Sequence, residues 1–271
     1  LVREFDAFVM VDWSGGNDTG PRPRRDAIWA CLADRDGARE PHYFRNRVRV
    51  EDWLCAQVEE ALSLGRRLCI GFDFPFGYPA GFVAALTGQG DPLALWEWFA
   101  ARVEDTPKTN NRFDLAGSIN RQFGGQGPFW GNGLKRDIDG LPRNKLGYRN
   151  PFAERRAVEA LARGTFSCWQ MAGAGSVGGQ VMMGLPVLSR LRHRFAPNVA
   201  AWPFETLNKP IALVEIWPAL TVDQPPAGMI KEAWEVQKVA LEPSRCPVAE
   251  MRRMVDVTAP EEGWILGVLP I

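Results

Sequence analysis

Two short apolar runs, Phe8–Asp12 (FVMVD) and Leu68–Asp73 (LCIGFD), each end in an aspartate, and this repeated arrangement constrains the fold more than any other feature of the chain. A continuous apolar run of such length reads as a strand buried in the middle of a sheet. An acid at its end leaves the backbone in the core while the carboxylate reaches the rim. The local alternative for either residue is a turn-initiating Asp that caps a neighbouring amide.

The remaining elements are read around these two strands. Ser14-Gly15-Gly16 is a turn, and Asp26–Leu32 (DAIWACL) and Pro41–Arg45 (PHYFR) are a second and a weaker third strand. Short polar turns such as Asp36-Gly37 between them predict an antiparallel meander. Val50–Leu64 carries apolar residues at helical spacing and is stopped by Gly65. Ile211–Trp217 (IALVEIW) is a further buried strand, Met229–Leu241 a helix, and Ala259–Gly267 an extended, docked end. Between the fourth and fifth strands the composition changes to Gly, Pro, Trp and Asn, with helical patterns near Pro92–Val103, Phe152–Ala162 and Leu185–Arg194. Residues 86–210 are expected to form an insertion or cap, because the aromatics of Asn110–Arg149 would not stay solvated. The expectation is one α/β domain over 1–271, with a mixed five-stranded sheet flanked by helices and a large, mostly helical and loop insertion after the fourth strand.

Composition narrows the function classes. Lys plus Arg and Asp plus Glu number 32 each in 271 residues, so no global basic field draws the protein onto nucleic acid, although a local basic groove stays open. The five cysteines form no CxxC pair, and His42 and His193 are the only histidines, which leaves a zinc site or a Ser-His-Asp triad short of parts. Scattered cysteines read as reduced thiols. No 18-residue apolar segment occurs, and LVREFDAF lacks the features of a signal peptide, so a cytoplasmic protein without a membrane partner is expected.

VDWSGG at 11–16, GFDFPFG at 71–77, VEIWPAL at 214–220 and PEEGWI at 260–265 together resemble a predicted-nuclease family of unknown function within the ribonuclease H-like superfamily. The order of elements is that of the ribonuclease H-like fold. The resemblance implies acids at the end of the first strand, on the fourth strand and on the final helix, gathered around Mg²⁺ or Mn²⁺. Asp12 matches the first and Asp73 the second, while Glu232, with Glu235 three residues on, stands where many relatives carry an Asp. The metal-ligand set so implied is Asp12, Asp73 and Glu232. The implied activity is hydrolysis of a phosphodiester in nucleic acid or a nucleotide.

Other residues join the candidates on their own chemistry. Glu215, inside an apolar strand, must meet a cation, a metal or an arginine. Ser14 and Gly15 follow Asp12 in a phosphate-loop-like turn. Arg112, Arg121 and Lys135 belong to a basic stretch interleaved with Phe113, Phe123, Phe129, Trp130 and Tyr148, a pattern suited to phosphates on cations and bases on rings. Against it stands an aromatic cap with a solvated basic rim. Gly173–Gly178 fits GxGxxG, yet a dinucleotide site also needs a strand before it, a helix after it and an acid about 20 residues on. A loop in the pocket wall is the competing reading of that segment. For the whole chain the alternative is a binding or accessory protein that holds a small phosphorylated or pterin-like ligand.

Overall fold

The first strand, β1 (Ala7–Asp12), is buried on both faces. Val9 and Val11 enter one core while Phe8 and Met10 enter another, as the two-residue period of a strand requires. A computed structural model describes residues 5–220, 224–259 and 261–270 and shows an α/β protein with a mixed sheet of seven strands. β1 pairs antiparallel with β2 (Ile28–Asp34), which also pairs antiparallel with β3 (Gly37–Ala38) and β4 (His42–Phe44). On its other side β1 pairs parallel with β5 (Leu68–Phe72), followed by β7 (Ile211–Glu215) and the edge strand β6 (Val199–Ala201), all parallel.

The count of five strands is therefore corrected to seven. β3 and β6 have two and three residues, too few to leave a periodic signature. β2 begins at Ile28 rather than Asp26, because Asp26 has φ +54°, a left-handed conformation that does not continue a ladder.

One face of the sheet carries α1 (Arg47–Ser63), whose Asn46 cap accepts from the Arg49 amide at 3.2 Å and whose Val50, Leu54, Val58 and Ala61 form the buried stripe. The same core takes side chains from α2 (Phe82–Thr87), α3 (Pro92–Ala100), α4 (Arg112–Gln122) and α6 (Gly178–Arg194). The other face carries α5 (Ala157–Leu161), α7 (Lys231–Arg245), α8 (Val248–Val255) and the tail residues Trp264, Ile265 and Val268. Residues 86–210 thus share the core of the sheet and lend it β6. The helix expected over Phe152–Ala162 is confined to α5, the one expected from Leu185 starts at Gly178, and α8 follows α7 unanticipated. No helix among the described residues is long and apolar enough to cross a membrane. All five thiols are free, and burial pushes those of Cys31 and Cys69 up to about 12.

Glu215, at the end of β7, is 2% exposed and meets an arginine. Arg156 donates to its two oxygens at 2.6 and 2.8 Å, and to Glu159 Oε1 at 2.8 Å. Glu215 Oε2 also accepts the Phe76 amide at 3.0 Å, and Arg156 reaches the Glu262 carbonyl at 3.1 Å. Removing a buried cation strands its partners, which costs about 3–5 kcal/mol. Arg156→Leu should lower the stability measured by urea unfolding by that amount, and Arg156→Leu combined with Glu215→Leu should recover part of it. An unchanged urea midpoint in the single variant would show that the ion group does not hold the fold.

Candidate active site

Asp12 closes β1, and Asp73 follows directly on β5, the parallel neighbour of β1. The Asp73 amide donates to the Val11 carbonyl at 3.2 Å, and the Trp13 amide donates to Asp73 Oδ1 at 2.6 Å. The Asp73 carboxylate is thereby drawn onto the backbone that immediately follows Asp12. Alternation along β1 puts Asp12 on the face of Met10, the face covered by α7. The buried stripe of α7, Glu232, Val236, Val239 and Ala240, begins with an acid in its first turn. Glu232 is 9% exposed; its Oε1 accepts the Asp26 amide at 3.1 Å, while its buried Oε2 has no partner.

These carboxylates line one cleft of about 680 Å³ together with Glu235 and Asp26. Burial, reinforced by the charges of Asp73, Glu232 and Glu235, holds the Asp12 carboxyl well above the usual carboxylate range, with Lys231 opposing. Burial also pushes Asp73 up to about 7, against the Trp13 amide bond and with the Glu235 charge. Lys231 pairs with Glu235 at 3.2 Å and lines the same cleft. The cluster is thus an excess of negative charge short of counter-ions.

The other walls come from loops. Buried Arg47 pairs with both oxygens of Asp105 at 2.6 Å and donates to the carbonyls of Ser14 (2.9 Å) and Gly16, fixing the turn after Asp12. Ser14 Oγ accepts the Gly16 amide at 3.1 Å. Gly15 abuts α6: a Cβ there would stand 2.7 Å from the Gly179 carbonyl carbon and oxygen. Gln180 Nε2 donates to the Trp13 carbonyl at 2.7 Å. Arg112 lines the same cleft with its guanidinium 4.4 Å from the centre of the Phe113 ring. Its buried Nε has no partner, and burial, with repulsion from Arg47, lowers its pKa to about 10.

Asp12, Asp73, Glu232, Ser14, Gly15 and Arg112 therefore share one cleft, and three expected site residues do not line it. Glu215 is consumed by Arg156. It pairs in register with Phe72, so alternation turns it to the opposite face from Asp12. Arg121 is half exposed on α4 and binds the Asp139 carbonyl at 2.8 Å. Lys135 is exposed, and its carbonyl accepts from Arg143 at 3.0 Å. Of the basic and aromatic stretch Asn110–Arg149, only Arg112 reaches the cleft, because Phe113 and Phe129 are buried core and Lys145 lies over Trp130 and Tyr148. The GxGxxG segment forms cleft wall leading into α6. No strand precedes it, only an isolated bridge from Gln170 to Trp130, so the dinucleotide reading loses its required context.

Sequence reasoning missed Asp26, Arg47, Phe166 and Trp217. The meander itself carried a signal for Asp26: antiparallel pairing of Asp12 with Trp29 brings the start of β2 beside the end of β1.

Comparison with protein-family models, with curated proteins and with solved structures found no match to this chain. Among the described residues no set of three or more His, Cys, Asp or Glu side chains is disposed to hold a metal. Mg²⁺, however, is commonly held by one or two carboxylates with water completing the shell. The hard oxygens of Asp12 and Asp73, with the orphaned Oε2 of Glu232 in the same cleft, suit that mode.

Folding raises the Asp73 carboxyl from 3.8 to about 7, so across that window the folded chain keeps a proton that the unfolded chain has released. Stability attributable to this group falls as pH rises through the window and is fully lost above it. Asp73→Asn, which keeps an acceptor for the Trp13 amide, should raise Tm at pH 8 by about 3 °C or more. It should also shrink the difference between pH 5 and pH 8 in thermal melts. Identical pH dependence in wild type and variant would refute the charge-crowded cleft.

Proposed function

We propose that this chain is a metal-dependent phosphodiester hydrolase on a ribonuclease H-like core, acting on nucleic acid or a nucleotide. One observation carries the reading: Asp12, Asp73, Glu232 and Glu235 line one cleft at one end of the sheet, where burial and the charges of the other three raise the proton affinity of Asp12. Crowded carboxylates are unfavourable without a cation and favourable with one. The order of elements gives further support. Apart from the two-residue β3 and the edge strand β6, which that reading did not include, the order of β1, β2, β4, α1, the central parallel strand β5, the region 86–210, the parallel strand β7 and α7 is the order the ribonuclease H-like reading implies.

Asp12 and Asp73 would hold the ion, with Glu232 supplying its free oxygen directly or through water. A bound Mg²⁺ or Mn²⁺ supplies Lewis-acid polarisation of a phosphoryl oxygen and a lowered pKa for bound water. Arg112, with a donor to spare, binds the phosphate anion in the same cleft. At the start of α6 the amides of Gly179 and Gln180 lack intrahelical acceptors and face an anion favourably. Glu235, tied to Lys231, adds negative charge that favours the cation.

Purified protein with Mn²⁺ or Mg²⁺ should cut single-stranded DNA or RNA, and Asp12→Asn should reduce the rate by about 100-fold or more. The substitution preserves shape while removing the ligand charge, and thermal melts verify the fold. Absence of metal-dependent cutting by the wild type, with a small phosphorylated ligand bound instead, would favour a binding protein on the same fold.

A further inference from the structure

Phe166 is 52% exposed, and it is the only Phe, Trp or Tyr among the described residues that is exposed rather than buried or partly buried. A single exposed apolar side chain needs no explanation by itself. Its position does: Phe166 lies in the wall of the cleft that holds Asp12 and Asp73, with Trp217 in the same wall. The ring is also supported on a purpose-shaped surface. A Cβ at Gly175 would overlap the ring, and Gly175 has φ +71°, so the glycine loop passes flush against Phe166 in a conformation that side chains disfavour. A Cβ at Gly164 would lie 3.6 Å from the Trp217 ring, which brings the two aromatics to neighbouring parts of the wall.

Resting on the hydrolase reading for the phosphate centre, we infer that Phe166, assisted by Trp217, is a stacking subsite for a nucleobase attached to the phosphate that Arg112 and a cation at Asp12 and Asp73 would hold. The cleft offers two chemistries side by side, a carboxylate floor for a cation and its phosphate, and a half-exposed aromatic ring. A ligand that satisfies both is a planar π system joined to a phosphate. Its volume of about 680 Å³ falls in the range of small-ligand sites. Of the rings expected to stack bases, Phe113 and Phe129 are interior and Phe123, Trp130 and Tyr148 do not line the cleft, which leaves Phe166 as the ring exposed at the site.

The test compares full-length wild type, Phe166→Ala and Phe166→Tyr by calorimetric or fluorescence titration in Ca²⁺. The probes are AMP, ribose 5-phosphate, a short oligodeoxyadenylate, and the same oligonucleotide with an abasic residue in place of each base in turn. Phe166→Ala should weaken base-bearing probes roughly ten- to hundred-fold, leave ribose 5-phosphate unchanged, and melt like wild type, while Phe166→Tyr should bind like wild type. Replacing the stacked base by an abasic residue should mimic Phe166→Ala. A loss seen with AMP assigns the subsite to a free nucleotide as well as to a strand, and a loss confined to the oligonucleotide assigns it to a strand. Equal effects of Phe166→Ala on probes with and without a base would overturn the inference. Cleavage is scored separately with Mn²⁺. Base selectivity at Phe166 without any cutting sinks the hydrolase and keeps the subsite; cutting without base selectivity does the reverse.

Discussion

The buried guanidinium of Arg156 is the interaction on which the architecture hangs. It binds Glu215 at the end of β7, Glu159 in α5 and the carbonyl of Glu262 in the tail. Glu215 in turn takes the Phe76 amide, three residues past Asp73, and the Glu262 carboxylate takes the amides of Ala80 and Ala157 at 2.8 and 2.6 Å. Strand end, the loop after Asp73, helix and tail are thereby joined through one cation. Every hydrogen-bonding valence of such a group must be met once water is excluded. The four elements are therefore fixed relative to one another at the level where the cleft opens.

Two neighbouring strands of the sheet show how the surroundings decide what an acid does. β5 leads into Asp73 and β7 ends in Glu215, at nearly the same height. Glu215 stands level with Phe72, one residue below Asp73, and the period of two sends it to the opposite face. At the strand end Arg156 pairs with both of its oxygens while also binding Glu159. Asp73 and Asp12 open toward the first turn of α7, where more acids stand; Asp73 takes the Trp13 amide, and the Lys231 charge opposes the raised proton affinity of Asp12. One carboxylate became a structural tie and the others a charged site by a shift of one residue in register.

That distinction sets the boundary of what could be read from the sequence. Asp12 and Asp73 were legible because a continuous apolar run fixes both the strand and the place where it ends. Glu232 was legible because it heads an amphipathic helix. Glu215 was recognisable as buried and paired, but its partner lies 59 residues away at the start of α5, and no local pattern singles that arginine out. Arg121 and Lys135 misled because charge and ring content show which residues are present, not which way they face; in α4 Phe113 turns inward and Arg121 outward, and Lys135 stands exposed in a loop. Asp26, Arg47 and Phe166 have ordinary local sequence, and only the tertiary arrangement gives them meaning. The GxGxxG segment was visible as a motif, yet its glycines serve close packing, Gly178 against the Cys168 and Gln170 carbonyls and Gly175 against Phe166.

The contrast between the neutralised and the crowded carboxylates also bears on why the cleft has stiff walls. Unpaired like charges in a half-buried volume push the groups that carry them apart, and a flexible rim would relax by swinging them into water. Here the rim cannot do so. Asp73 is held by the Trp13 amide, the turn after Asp12 by Arg47, and the same turn by backbone contact between Gly15 and Gly179. Gln180 closes the last gap through the Trp13 carbonyl. Burial first, and the neighbouring carboxylates second, therefore keep the proton affinities of Asp12 and Asp73 high. The rim thus keeps its buried acids close together at some cost in stability, the exchange seen where groups are held in place against their own preference.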